Sequence, residues 1–99
     1  MKPLRIVWKR QALQRVDEIA QWYADNMGGT AARNFLQGIS ETVQTLSGSP
    51  HIGRFDDRRS TEKVNFYSFV AHPKYKIVYY FNTRSIYIVT IHRTLMKNG

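Results

Sequence analysis

Residues 75–92, YKIVYYFNTRSIYIVTIH, decide the fold. Two runs rich in β-branched and aromatic residues, Tyr75–Phe81 and Ile86–His92, flank the short polar stretch 82–85. Such runs joined by a tight polar turn read as an antiparallel hairpin. The first run is apolar on both faces, with Ile77, Tyr79 and Phe81 on one and Val78 and Tyr80 on the other. A strand of that kind sits centrally in a sheet or presents a functional face. Upstream, Val64–Val70 (VNFYSFV) is a third β-rich run, set off by His72-Pro73. The three predict an antiparallel meander.

Before the meander the period changes. Leu13, Val16, Ala20, Tyr23 and Met27, with Ile19 beside them, recur at spacings of three and four and predict one amphipathic helix. Gly28-Gly29 ends it. Thr30 is the expected N-cap of a second helix, whose apolar stripe is Ala32, Phe35, Ile39, Val43 and Leu46. Gly48-Ser49-Pro50 stops that helix. A connection as short as Gly-Gly predicts an antiparallel helix hairpin. At the N-terminus, Leu4–Trp8 (LRIVW) after Pro3 reads as an edge strand. Residues 51–61, HIGRFDDRRST, show no periodicity and read as a loop. The expected fold is α+β, ordered β-α-α-β-β-β, with the helix hairpin packed on a small antiparallel sheet.

Composition narrows the function. The chain has 99 residues, which suits a single domain over residues 1–99. It carries 15 Lys plus Arg against 7 Asp plus Glu, a net charge of +8, which points to a polyanionic or acidic partner. Residues from Arg54 onward hold 9 of the basic side chains, 3 of the acidic ones and 9 of the 13 aromatics. Cysteine is absent, which excludes disulfide scaffolds, thiolate metal sites and cysteine nucleophiles. His51, His72 and His92 are widely separated, so neither a metal nor another cofactor is expected. No run approaches the length of a membrane span or a secretory h-region, and the expected location is the cytoplasm.

The order of elements resembles the RelE/ParE superfamily, toxins of bacterial type II toxin–antitoxin pairs. Gln11-Ala12-Leu13, Val16, Ile19 and Tyr23 are similar to its first helix, and Ala32, Phe35, Ile39, Val43 and Leu46 to its second. Leu46 through Pro50, Gly53 and Arg54 resemble its L-x-x-x-P-x-x-G-R connector. Tyr75–Tyr79 is similar to its Y-x-I-x-Y strand, and Ile88, Val89, Ile91 and His92-Arg93 to its closing strand. The resemblance implies one of two activities. RelE-like members cleave messenger RNA on the ribosome, whereas ParE-like members poison DNA gyrase and block replication. It also implies a cognate antitoxin whose C-terminal segment wraps the toxin. The exposed helix faces and a free sheet edge at the last strand are the expected docking places.

Metal-free RNA cleavage needs a base for the 2′-oxygen, cations for the phosphorane and an acid for the leaving oxygen. For that reading the candidates are His92, Arg54, Arg59, Arg93 and Tyr79, with Arg58, Lys74 and Lys76 as further cations. His92 is the natural proton carrier, but Arg93 cannot share its strand face. Its cation must come from another strand or from residues 54–59. Two departures favour the ParE-like branch, for which no catalytic residue is expected. Lys63 is the sole lysine between Pro50 and Lys74, and RTLMKNG after His92 lacks the tyrosine nuclease members often use. The expected binding residues are then Arg54, Phe55, Arg58, Arg59 and Arg93. The 54–59 loop reads equally as a solvated segment, since Asp56 and Asp57 partly neutralise it.

Overall fold

A computed structural model describes residues 2–72 and 75–93; Lys74 and the segment after Arg93 lie outside the described residues. Strand β1 (Arg5–Trp8) leads into helix α1 (Arg10–Met27) and helix α2 (Gly29–Gly48). A 3-10 turn, Pro50–Ile52, precedes the short strand β2 (Arg54–Phe55). Strands β3 (Tyr67–His72), β4 (Tyr75–Phe81) and β5 (Ser85–Arg93) follow. The α+β class and the helix hairpin on a sheet are as expected.

The sheet itself corrects the expectation. Among the described residues it has five strands in the order β1-β5-β4-β3-β2, and β1 runs parallel to β5. It is therefore mixed, not antiparallel throughout. The last strand is interior, with β1 along its first half, so the edges are β1 and β2. β2 falls within the segment read as a loop and pairs with β3 through Arg54↔Ser68 and Phe55↔Tyr67. β3 begins at Tyr67, not Val64. Ser60 and Thr61 account for the difference. Ser60 Oγ accepts the Phe66 amide at 2.8 Å, and Thr61 Oγ1 accepts those of Lys63 and Val64 at 3.2 and 3.1 Å. Those side chains compete with a ladder for the backbone donors.

One face of the sheet holds the helices. Ile77 and Tyr79 of β4 and Ile86, Ile88 and Ile91 of β5 are fully buried against Ala12, Ile19, Phe35, Ile39, Val43 and Leu46. A β-bulge makes that β5 set possible. Val78 pairs with Thr90 but Tyr79 pairs with Ile88, leaving Val89 as the extra residue. The bulge shifts the alternation by one, so Ile88 and Ile91 share a face although three residues apart.

The helix stripes need two corrections. Leu13 and Met27 are 50% and 61% exposed, and Ala12 is buried in their stead. Residue 12 lies under the sheet because α1 leaves β1 after Lys9, whose amide still bonds the Ile88 carbonyl at 2.9 Å. Thr30 is inside α2 and caps nothing. The turn is made by Gly28, whose φ of 97° suits glycine and whose carbonyl accepts the Ala32 amide at 3.3 Å.

Candidate functional site

The face of the sheet away from the helices is also partly closed. Val78 and Thr90 are fully buried, yet Val78 takes no part in the helix-side core. The chain after β2 folds across this outer face. Asp56 anchors it. Its amide bonds the Phe66 carbonyl at 2.8 Å, and its carbonyl accepts the Ser60 amide at 3.0 Å and the Ser60 hydroxyl at 2.6 Å. Phe66 then stacks on Tyr80 of β4 at 5.4 Å, and Tyr80 on Tyr87 of β5 at 4.7 Å.

This fold-over brings Arg59 to His92. The Arg59 guanidinium lies 3.4 Å from His92 Nε2, a contact possible only when that nitrogen accepts. Lys76 is the register partner of His92 on β4 and shares its face. Arg15 of α1 reaches the same end of β5, where its Nε bonds the Ile91 carbonyl at 3.2 Å. Burial lowers the His92 pKa, and Arg59, Arg15 and Lys76 lower it further. The imidazole is therefore mainly neutral at pH 7, with the Arg59 guanidinium against it. Arg59 is held by Asp56 through its guanidinium at 3.7 Å and through its amide at 3.2 Å. Two residues from His92, the buried Thr90 hydroxyl has no hydrogen-bond partner among the described residues.

The remaining candidates divide between faces. Arg54 shares the outer face, since it pairs with Ser68, which pairs with Val78. Arg58 is exposed in the turn that follows β2. Phe55 lies on the helix side, edge-on to Tyr67 at 5.9 Å. Arg93 pairs with Tyr75 and sets its guanidinium 5.0 Å over the Trp22 ring, also on the helix side. Tyr79 is fully buried on that side and donates its hydroxyl to the Pro50 carbonyl at 2.7 Å. Burial pushes its phenol up to about 12 against the opposing pull of the Gly53 backbone. Its place is structural. A side chain at Gly53 would strike this hydroxyl.

Arg59, His92, Lys76 and Arg54 thus form one cationic face, while Phe55, Arg93 and Tyr79 belong to the other. Sequence reasoning missed Arg15, which lies on the polar side of α1 like any solvated arginine. It reaches β5 because β1 stops pairing at Ile88 and leaves the Ile91 carbonyl open.

The two-layer order, the connector and this basic outer face define a toxin of the RelE/ParE type. A family model described as "ParE toxin of type II toxin-antitoxin system, parDE" matches residues 6–97, and the chain belongs to that family. A solved chromosomal ParDE toxin–antitoxin system from P. aeruginosa contains a chain of similar fold. It superposes with a TM-score of 0.71 at 22% identity, over 93% of this chain and 97% of that one. The YoeB dimer from Staphylococcus aureus is also similar in fold, with a TM-score of 0.56 and 18% identity over 90% and 94% of the two chains. No curated protein is significantly similar in sequence. Among the described residues no helix is long and apolar enough to cross a membrane.

Proposed function

We propose that this ParE-type toxin inhibits DNA gyrase and so blocks replication. We further propose that a cognate antitoxin neutralises it through a C-terminal segment that wraps the chain in the cytoplasm. The family match over residues 6–97 is the observation that supports this reading most. The distribution of the candidate residues agrees with it. A nuclease needs two proton-transfer groups at one phosphate. Here Tyr79 is buried behind the sheet, and the accepting nitrogen of His92 is engaged by Arg59. Exposed Arg54 and Arg58, with Arg59 beside them, then serve to bind gyrase, and Phe55 and Arg93 extend the contact around the two ends of the sheet. For the antitoxin, the exposed apolar side chains Leu13, Trp22, Met27 and Leu36 on the helix layer supply a surface for an amphipathic segment.

One observation favours a second reading, ribosome-dependent RNA cleavage. Arg59, His92 and Lys76 share one face, which puts one proton carrier and two cations where a phosphate could be met. Pulse-labelling after induction without antitoxin separates the two readings. DNA synthesis falling first, with translation persisting, is the expected result. Translation collapsing first, with His92→Ala abolishing the effect, would replace gyrase by messenger RNA as the target.

A further inference from the structure

At the opposite end of the outer face is a second basic site that neither reading uses. Arg5 of β1 pairs with Ser85 of β5, and the Arg5 amide bonds the Arg84 carbonyl at 2.9 Å. Asn82 Oδ1 accepts the amides of Arg84 and Ser85 at 2.8 and 2.9 Å and so fixes the turn that presents Arg84. Arg5, Arg84, Asn82, Ser85 and Tyr87 line one cleft of about 440 Å³, with no carboxylate among the described lining residues. Neither arginine forms an ion pair among the described residues. Beside it the Lys9 ammonium sits 6.0 Å over the ring of Tyr87, one of the lining residues.

These cations form a line. Arg5 and Lys9 are four residues apart on an extended strand, roughly 13 Å at the usual rise. Laid parallel to the axis of a duplex, that length covers about four base-pair steps, at one charge per strand every ~3.4 Å of axis. The charge of the molecule is segregated in the same sense. α1 and α2 contain Asp17, Glu18, Asp25 and Glu41 against Arg10, Arg15 and Arg33, so most of the excess positive charge lies outside the helix layer.

We propose that the Arg5–Arg84 cleft, with Lys9 beside it, binds the phosphate backbone of duplex DNA. The choice of DNA rests on the gyrase reading, in which the toxin meets an enzyme holding DNA. The two guanidiniums would grip phosphate oxygens, with the Tyr87 hydroxyl as an additional donor. Contacts of this kind position a protein without reading sequence.

Fluorescence anisotropy of the purified chain with a labelled duplex tests this across a salt series of about 50 to 200 mM. Arg5→Ala with Arg84→Ala removes two charges, and Arg33→Glu on α2 changes the net charge equally. We expect the double variant to weaken binding at least about tenfold and to lower the salt slope by about 1.8, two phosphates' worth. Arg33→Glu should bind almost as the parent does, and Arg5→Lys with Arg84→Lys should recover most of the loss. Binding unchanged in the double alanine variant, an equal loss from Arg33→Glu, or preference for single-stranded RNA would each overturn the proposal. Circular dichroism confirms that the variants fold. Gyrase supercoiling assays on the same preparations keep the two ideas apart. Gyrase inhibition by the parent without cleft-dependent DNA binding removes only the cleft. Cleft-dependent binding without inhibition removes only the gyrase reading.

Discussion

The two faces of the sheet are built from the same strands but closed by different means. Under the helices, apolar side chains interlock, and Ile77, Ile86, Ile88 and Ile91 lose all contact with water. On the outer face a single length of chain is drawn across by Asp56 and Ser60, and an aromatic row fills the space. The first closure draws on apolar area, the second on a few hydrogen bonds and three rings. The lesson is a division of labour. The helix side holds the fold together. The outer side, thinly covered and cationic, is where the chain can meet an anionic partner without giving up its core.

Truncation on the helix side should break this comparison most forcefully. Ile88→Ala should cost about 2–5 kcal/mol, the range for emptying a fully buried site, measured by urea unfolding. The junction between the faces comes next. Gly53→Ala places a methyl group against the Tyr79 ring carbon at 2.9 Å and the Ser68 carbonyl at 3.0 Å. It should destabilise by about 1–3 kcal/mol, as overpacking does, and the same unfolding curves report it. Tyr79→Phe removes only the bond to the Pro50 carbonyl and should cost about 1 kcal/mol. A combined Gly53→Ala, Tyr79→Phe variant should cost less than the sum, because the tightest contact, that with the hydroxyl, disappears while those with the ring carbon and the Ser68 carbonyl remain.

The smallest effect sharpens the outer face. His92 has a folded pKa below its ordinary 6.5, so the unfolded chain binds more protons there. The stability this provides is complete above about pH 6.5 and is lost as pH falls through the depressed folded value. Unfolding midpoints compared between the parent and His92→Gln should therefore diverge below pH 6.5 and run parallel above it. Parallel curves throughout would mean that neither burial nor Arg59, Arg15 and Lys76 depress the His92 pKa in solution.

What could be read in the sequence follows the same division. Period and alternation revealed the helix stripes from Val16 to Tyr23 and Phe35 to Leu46, and placed Tyr75–Phe81 at its observed bounds. Those signals come from burial, which repeats with the backbone. The parallel partnership of β1 and β5 could not be read, because pairing between distant segments leaves no local mark. The bulge at Val89 was equally silent, since one extra residue in a β-rich run looks like continued strand. At the site, Arg59 and His92 were both candidates, but nothing in their spacing of 33 residues placed them in contact. That depends on how Ser60 and Thr61 redirect residues 61–66 across the face, a matter of a few side-chain hydrogen bonds.

The pairing of β1 with β5 also sets a timetable. Arg5 meets Ser85 and Trp8 meets Ile88, so the first strand waits for a partner made about 80 residues later. Until β5 exists, β1 and β4 each lack a neighbour, and α1 has little to pack on. Closing so long a loop is entropically costly, and folds dominated by such pairings assemble slowly. The sheet is completed from its middle by β5, the last of the described strands to be synthesised. A chain that ends before β5 therefore has neither face of the sheet finished. Both closures begin only when β5 arrives, and until then the apolar stripes of α1 and α2 have no completed sheet to cover them.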